Sequence, residues 1–401
     1  MKYIIFLIDG SADYPLEKLG GKTPLMVAQK PNIDALAAKG VCGLFQTIPE
    51  NMPTGSAVAN LSVLGYRPEK CFEGRGVLEA ASMEVPVSYD EVALRCNLIC
   101  VESGKIKNHS AGHISSEEAA ILIDELNQKL GSEKVKFYPG VSYRHLLIIK
   151  DEKFSKKIKC APPHDHPNEK IQNVMIGGDE YTSNFLNNLI LRSNAVLENH
   201  PVNISRAEKS KDKANFIWPW SPGKKPQMKT YAELYGKTGA TISAVDLIKG
   251  IGKYAGLDII NVEGATGLYD TNYEGKADAC VEALKTHDFV FCHIEASDEA
   301  GHEGDVNLKI KTIEYFDKRL LERALAGFSD IDDEITIAIL PDHFTPCKLR
   351  IHTREAVPFL IYNPQKMSDE VKKFDEESCK NGSAGLLEND EFIKMVFRIE
   401  K

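Results

Sequence analysis

The chain opens with the apolar run 3-YIIFLI-8, which leads directly into Asp9 and Gly10. Six consecutive apolar residues are typical of a strand that is buried on both faces of a parallel sheet. Three further apolar runs of this kind occur later in the chain: 289-FVFCHI-294, 335-ITIAIL-340 and 358-PFLIY-362. We interpret all four runs as strands of one sheet.

Helical patterns lie between these runs. Residues 32–39, 244–254 and 308–326 carry apolar side chains at the three- and four-residue spacing of an amphipathic helix. Strands that alternate with helices predict an α/β fold with a central, mostly parallel sheet flanked by helices. In such folds ligands bind beyond the carboxyl ends of the strands.

Polar residues with metal-binding chemistry stand at the ends of the predicted strands. They are three aspartates and three histidines: Asp9, Asp298, His302, Asp342, His343 and His352. Asp298 and His302 are four residues apart, a spacing that lets both side chains reach one metal ion. Each motif alone is compatible with an ordinary role, such as a solvated turn at Asp342-His343 or a structural histidine at His352. Together they suit Mn²⁺ or Zn²⁺, which accept mixed oxygen and nitrogen ligands.

The segment 53-PTGSAVAN-60 supplies a candidate nucleophile. Pro53 and Gly55 indicate a turn, and the small residues after Ser56 predict a helix. A serine at a helix start lies where backbone N–H groups favour a bound phosphate. A metal ion would lower the pKa of its hydroxyl. The alternatives are that Ser56 only caps the helix, or that Thr54 is the nucleophile.

The middle of the chain has a different pattern. Alternating strand-like segments at 92–101 and 143–149 accompany a polar helix at 116–130. We interpret residues 85–206 as a smaller α/β domain inserted into the first. Residues 1–84 and 207–401 then form the metal-binding domain.

Composition limits the class of protein. The net charge of −9 argues against a nucleic-acid partner, and no window is apolar enough for a membrane span. The first residues lack the apolar length of a secretory signal. The nine cysteines are scattered without a CxxC pair, which indicates reduced thiols in a cytoplasmic protein.

The ordered set of motifs resembles a known family. The strand ending in DG, PTGSAVANLSVLGY, DEAGH, PDH and His352 look like the cofactor-independent phosphoglycerate mutases of the alkaline phosphatase superfamily. The middle segments NHSAGHISSEEA, GVSYRHLLI and PPHDH extend the resemblance to the archaeal-type branch.

The resemblance implies an isomerase of glycolysis with an alkaline-phosphatase-like domain. It would interconvert 3-phosphoglycerate and 2-phosphoglycerate through a phosphoserine on Ser56, without 2,3-bisphosphoglycerate. Two divalent ions are implied, with Mn²⁺ favoured over Zn²⁺ or Mg²⁺. Asp298, His302 and His352 would bind one ion. The other would be bound by the remaining ligands: Asp9, Ser56, Asp342 and His343.

The inserted domain is then expected to act as a cap that holds the substrate, a small phosphorylated hydroxy acid. Its predicted substrate-binding residues are His109, Arg144, His164 and Asp165. Arg144 falls in an apolar run, where an unpaired cation would be costly, so either a ligand or a buried salt bridge is expected.

Substrate identity is left open by departures from the family pattern. Ala57 follows the nucleophile where Asp is usual, and His113 replaces an Arg. The segment 218-WPWSPG-223 also differs from the usual run. The alternative function is a homoserine kinase-type phosphotransferase of the same superfamily. No Walker A loop is present to support a nucleotide donor. The sequence does not indicate the oligomeric state.

Overall fold

The computed structural model describes residues 1–366 and 368–399. The chain divides into two compact units, one formed by Met1–Phe72 with Gln227–Lys401 and the other by Glu73–Pro226. The second unit therefore begins earlier and ends later than the predicted 85–206. The reason is that strand Phe216–Lys224 pairs with strand Glu91–Glu102 inside the second unit.

The described residues form fifteen strands in chain order. They are β1 Lys2–Ile8, β2 Val41–Phe45, β3 Glu91–Glu102, β4 Lys105–Asn108, β5 Val135–Tyr138, β6 Arg144–Lys150, β7 Ile158–Lys159, β8 Gly177–Gly178, β9 Phe216–Lys224, β10 Gly239–Ile242, β11 Asp258–Ile260, β12 Phe289–Ile294, β13 Ile335–Leu340, β14 Val357–Tyr362 and β15 Leu386–Leu387.

The α-helices of the described residues are α1 Pro24–Val27, α2 Pro31–Ala37, α3 Ser56–Val63, α4 Pro68–Cys71, α5 Arg75–Ser82, α6 Ser116–Leu130, α7 Glu180–Leu197, α8 Pro201–Glu208, α9 Tyr231–Tyr235, α10 Asp246–Tyr254, α11 Tyr273–Thr286, α12 Ala296–Glu303, α13 Val306–Tyr315, α14 Glu322–Gly327 and α15 Glu391–Phe397. A π-helical segment, Phe316–Leu321, joins α13 to α14. Short 3-10 turns occur at Glu17–Leu19, Pro163–Asp165, Ile171–Asn173, Phe328–Asp330 and Ser378–Asn381.

The first unit is built on an eight-stranded sheet in the order β11-β10-β12-β1-β13-β14-β2-β15. Strands β11, β10, β12, β1 and β13 are mutually parallel. The predicted α/β fold with a mostly parallel sheet is confirmed.

Strand β1 lies at the centre of the parallel part, and its residues Ile4 to Leu7 are completely buried. Ile4, Phe6 and Ile8 belong to one core cluster with side chains of α11 and of the π-helical segment. The Phe6 ring packs edge-on against Phe316 at 5.8 Å. Truncation of such a buried ring to alanine costs about 3–5 kcal/mol. The core therefore fixes the strand that ends at Asp9.

Strand β14 reverses the direction of the sheet, since it runs antiparallel to both β13 and β2. An antiparallel strand begins at the sheet edge where its parallel neighbours end. His352, a few residues before β14, is therefore carried to the same edge as the residues that follow β1, β12 and β13.

The second unit contains a separate antiparallel sheet with the order β4-β3-β6-β5, to which β9 adds by pairing with β3. Helices α6 and α7 contribute Leu122, Ile123, Leu186 and Ile190 to its core. This core is distinct from that of the first unit.

Among residues 1–366 and 368–399, no helix combines the length and the apolarity needed to cross a bilayer. All nine cysteines are free thiols.

Candidate active site

The seven residues predicted for the metal and nucleophile site lie together at one edge of the main sheet. They are three aspartates, three histidines and the serine at the start of α3: Asp9, Asp298, Asp342, His302, His343, His352 and Ser56. Their side chains form two contact sets that meet at His343.

The first set surrounds the carboxylate of Asp298 near the start of α12. His302 Nε2 lies 3.2 Å from Asp298 Oδ2, and His352 Nε2 lies 3.4 Å from Oδ1. The two Nε2 atoms are 2.8 Å apart, so they share either a proton or a cation. His302 Nδ1 faces the carbonyl of Arg350 at 2.9 Å, which directs Nε2 towards Asp298.

The second set surrounds His343 Nε2. This atom lies 3.3 Å from Asp342 Oδ2, 3.7 Å from Asp9 Oδ1 and 3.2 Å from the hydroxyl of Ser56. Asp9, Asp342 and His343 are completely buried. Oxygen and imidazole ligands in this combination suit a transition-metal divalent ion.

Thr345 connects the two sets. Its hydroxyl lies 2.5 Å from Asp298 Oδ1 and 3.2 Å from His343 Nδ1. A carboxylate can only accept, so the Thr345 hydroxyl donates to Asp298 and accepts from His343 Nδ1–H. The Nε2 atom of His343 is therefore unprotonated and keeps a lone pair for a metal ion.

Among the described residues, three triads each have ligand atoms that lie within 4.8 Å of one another: Asp298-His343-His352, Asp9-Asp342-His343 and Asp9-His293-Glu295. His343 thus belongs to both predicted sets, whereas the resemblance assigned it to one. His302 stands outside these triads but contacts both Asp298 and His352.

The electrostatics of the buried groups favour bound cations. Burial, followed by the charges of Asp342, Glu295 and Asp298, raises the pKa of Asp9 well above its ordinary range. Burial and the charge of Asp298 raise the pKa of Glu295 to about 8. Asp9 Oδ1 has no hydrogen-bond partner within the described residues. A divalent ion would supply that partner and favour the carboxylate form, so the residues present fit a metal site.

The first set behaves as an ion pair in the metal-free protein. Although burial alone would raise it, contacts with His302 and His352 hold the pKa of Asp298 well below its ordinary range. The hydrogen bond to Asp298 raises the pKa of His302 to about 9. Burial lowers the pKa of His343. The second set therefore holds a neutral imidazole and the first set a protonated one.

Ser56 is the first residue of α3, and the N-cap position is occupied by Gly55, whose φ of 146° excludes most side chains. The hydroxyl of Ser56 faces His343 rather than a backbone N–H, so Ser56 does not cap the helix. Thr54 is exposed. Asn60, one turn later, donates to the Ser56 carbonyl at 2.8 Å and to Asp342 Oδ2 at 2.9 Å. Asn60 thus links the helix that begins at Ser56 to the second set.

Gly10 provides the close approach between β1 and the first set. Its φ is +59°, and a Cβ atom here would lie 2.5 Å from Asp298 Oδ1 and 2.6 Å from Thr345 Oγ1. Its N–H donates to Asp342 Oδ1 at 3.1 Å. The glycine after the first strand is therefore required by the packing of the ligands.

The predicted substrate-binding residues belong to the second unit. The His109 ring lies 5.7 Å from Tyr143 and 6.1 Å from His164, and the His164 ring lies 5.5 Å from Trp220. Asp165 Oδ1 is 3.5 Å from His164 Nε2.

Of the two alternatives for Arg144, the buried salt bridge is wrong. Arg144 is the first residue of β6 and is exposed, because the apolar run begins after it. Its guanidinium lies 5.6 Å from the Tyr143 ring, and none of the described carboxylates pairs with it. A solvated cation in this position remains available to an anionic ligand.

Several site residues were not predicted from the sequence. His293 and Glu295 flank the end of β12, and His293 was interpreted as part of an apolar run. Thr345 and Asn60 carry no motif of their own. For His293, the signal was a lone histidine inside an otherwise apolar strand that ends at the site.

The family model and the relatives that match this chain carry the same family name. A family model described as 2,3-bisphosphoglycerate-independent phosphoglycerate mutase matches residues 37–203. A protein of that name from Methanosarcina barkeri is 52% identical over 399 residues, covering 99% of this chain and 100% of the relative. A protein named as a probable member from Geobacter sulfurreducens is 45% identical, with 100% of each chain covered.

Two solved structures are also similar over the whole chain. The PH0037 protein from Pyrococcus horikoshii superposes with a TM-score of 0.83 at 30% identity, covering 100% of this chain and 98% of its own. A cofactor-independent phosphoglycerate mutase from Thermoplasma acidophilum gives a TM-score of 0.69 at 25% identity, with 100% of both chains covered.

Proposed function

The chain belongs to the 2,3-bisphosphoglycerate-independent phosphoglycerate mutase family, and from this membership we propose that it interconverts 3-phosphoglycerate and 2-phosphoglycerate. The observation that carries the proposal is the hydroxyl of Ser56, which lies 3.2 Å from His343 Nε2 beside two sets of metal ligands. A serine in this environment is suited to accept a phosphoryl group.

We assign Asp298, His302 and His352 to one divalent ion, and Asp9, Asp342, His343 and Ser56 to the other. When bound, the two ions would neutralise the phosphoryl oxygens and lower the pKa of the attacking hydroxyl. Mn²⁺ is the proposed metal because the donors are mixed imidazole and carboxylate groups. Zn²⁺ and Mg²⁺ are the alternatives, and no 2,3-bisphosphoglycerate is required in this scheme.

Ser56 Oγ attacks the phosphorus of 3-phosphoglycerate, so the P–Oγ bond forms as the P–O3 bond breaks. The proton lost from Ser56 ends on the released 3-hydroxyl of glycerate. The 2-hydroxyl then attacks the phosphoserine, the P–Oγ bond breaks, and a proton returns to Ser56. The start of α3 offers backbone N–H groups to the phosphoryl oxygens in both steps.

The intermediate glycerate must be held between these steps, because water would otherwise hydrolyse the phosphoserine. We propose that the second unit supplies the groups that hold it, namely His109, Arg144, His164 and Asp165. Support comes from the exposed guanidinium of Arg144 and from the adjacent imidazoles. Arg144 can grip a carboxylate or a phosphate with two hydrogen bonds.

The test is conversion of 3-phosphoglycerate by the Mn²⁺-loaded protein, coupled to enolase without added 2,3-bisphosphoglycerate. We expect turnover that is abolished by a chelator and restored by Mn²⁺. Absence of turnover, together with robust ATP-dependent phosphorylation of homoserine by the same preparation, would overturn the proposal.

A further inference from the structure

The two oxygens of the Asp9 carboxylate have different surroundings. Oδ2 lies 2.8 Å from His293 Nε2, whereas Oδ1 has no hydrogen-bond partner in the described chain. The residue is completely buried, so water cannot freely satisfy Oδ1. Oδ1 also lies on the side of His343, at 3.7 Å from its Nε2. One oxygen is thus held by the protein, and the other is left for a cation.

The imidazole of His293 is itself oriented by a hydrogen bond on the side away from Asp9. Its Nδ1 lies 3.2 Å from the Ser243 hydroxyl, and the same hydroxyl oxygen accepts from the backbone N–H of Val245 at 3.0 Å. In the carboxylate form that a bound cation favours, Asp9 can only accept, so Nε2 of His293 carries the hydrogen and Nδ1 accepts from Ser243. Every donor in this series therefore points towards Asp9.

The members of this series lie in β12 or directly after the neighbouring strands β10 and β1. His293 is opposite Leu7 in the pairing of β12 with β1, and Cys292 is opposite Ile242 in the pairing with β10. Ser243, His293 and Asp9 consequently follow one another across the sheet. Lys276 Nζ donates to the His293 carbonyl at 3.2 Å and fixes its backbone. Regular sheet geometry, rather than a loop, sets the position of the imidazole.

From this geometry we infer that His293 is a positioning residue, which holds Asp9 Oδ2 so that Oδ1 faces the divalent ion shared with Asp342 and His343. Ser243 keeps the imidazole in the required tautomer. The inference rests on the proposed function in so far as Asp9 is taken to bind a cation. Partners of this kind orient metal ligands without touching the metal.

The rival interpretation is that His293 is itself a ligand, in a third cation site with Asp9 and Glu295. Glu295 Oε2 lies 3.4 Å from His293 Nε2. The shorter contact to Asp9 occupies the Nε2–H and leaves no lone pair there for a metal. The two interpretations predict different metal stoichiometries.

The experiment is a Mn²⁺ titration of the metal-free protein, with free Mn²⁺ measured by electron paramagnetic resonance. We compare wild type with His293→Leu, His293→Gln and Ser243→Ala. Wild type should bind two ions. His293→Leu should weaken one of them by about 10- to 100-fold and leave the other unchanged. His293→Gln keeps an N–H donor and should recover part of the loss, and Ser243→Ala should show a smaller loss.

Thr336→Val is the matched control for lost stability. Thr336 is completely buried near the start of β13 and accepts a hydrogen bond from Asn363 at 2.8 Å, far along the strand from Asp342. Its loss should lower the melting temperature of the metal-free protein without changing either Mn²⁺ affinity.

Three results would overturn the inference. The first is that His293→Leu binds Mn²⁺ with wild-type affinities. The second is that both Mn²⁺ affinities fall equally, in proportion to the fall in melting temperature. The third is that wild type binds three ions and His293→Leu binds two. Because binding is read without turnover, a protein that binds two ions but fails to convert 3-phosphoglycerate would contradict the proposed function alone.

Discussion

The proposed metal ligands of the first unit are built differently from the ring cluster of the second unit, which we define as His109, Tyr143, His164 and Trp220. Asp9, Asp342 and His343 are fully enclosed, whereas the side chain of His164 is 48% exposed. The ligands contact one another through hydrogen bonds and ion pairs, whereas the rings meet mainly edge to edge. The groups proposed for phosphoryl transfer are thus fixed in place, and those proposed for substrate recognition are left accessible.

The difference has a cost in folding. Carboxylates gathered without water or a cation destabilise the folded state, as the raised pKa of Asp9 and Glu295 indicates. The ring cluster carries no comparable penalty. We therefore expect substitutions of the proposed metal ligands to affect metal binding or the chemical step. Substitutions in the ring cluster should instead change KM for the substrate.

Ser56→Ala has the largest expected effect. It should abolish phosphoryl transfer and leave the other proposed metal ligands in place. Loss of the nucleophile should lower kcat by about 10⁴-fold or more, because the hydroxyl is the only group proposed to receive the phosphoryl. The measurements are enolase-coupled turnover and Mn²⁺ content. Retained turnover would show that another group accepts the phosphoryl.

Gly10→Ala should disturb the enclosed ligands without removing any of them. The new methyl group would lie 2.5 Å from Asp298 Oδ1, so we expect Mn²⁺ affinity to fall by about tenfold or more. Gly20→Ala is the matched control, since Gly20 also has a positive φ but a Cβ atom added there would meet no other atom within 4 Å.

The positive φ should cost both glycine variants about 1 kcal/mol of folding free energy, and the clash with Asp298 should add to this loss in Gly10→Ala. Only Gly10→Ala should change the Mn²⁺ titration. Equal affinities in the two variants would show that the close approach at Gly10 does not matter for the ligands.

Arg144→Ala should affect substrate binding alone. Loss of a charge-assisted hydrogen bond should raise KM for 3-phosphoglycerate by about 10- to 100-fold, with the Mn²⁺ stoichiometry unchanged. Arg192→Ala removes an exposed arginine of α7 and serves as the control. If both variants gave the same KM, Arg144 would have no part in substrate binding.

The Mn²⁺ affinity should depend on pH through His302. Its pKa of about 9 in the metal-free protein lies above the ordinary value, so His302 is protonated at neutral pH and must lose that proton to bind a cation. Affinity should rise by about tenfold per pH unit from pH 7 and level off near pH 9. Calorimetry in buffers of different ionisation enthalpy measures the released proton, and an affinity that stays flat over this range would contradict the assignment.

Much of the candidate active site could be predicted because strand ends are visible in the sequence. The runs before Asp298 and Asp342 match β12 and β13 residue for residue. The position of His352 could not be derived in the same way, because it depends on the reversal of β14. Apolar runs do not reveal strand direction.

The residues that were missed act through pairings between distant segments. His293 was hidden in an apolar strand, and its contact with Asp9 spans 284 positions of the chain. The second unit extends beyond the predicted residues 85–206 because β9 returns to pair with β3. A buried salt bridge was one alternative for Arg144 because the predicted strand 143–149 enclosed this residue, whereas β6 begins at Arg144 itself. Such facts depend on tertiary register, which the pattern of one strand does not contain.

The hydroxyl of Thr345 contacts both ligand sets. It would therefore couple the binding free energies of the two proposed metal ions. An ion that changes the charge on Asp298 alters the strength of the hydrogen bond that Thr345 accepts from His343, and the reverse holds equally. Linkage requires the effect of the first ion on the affinity for the second to equal the effect of the second on the first. If both ions bind as proposed, this threonine hydroxyl would make their binding cooperative.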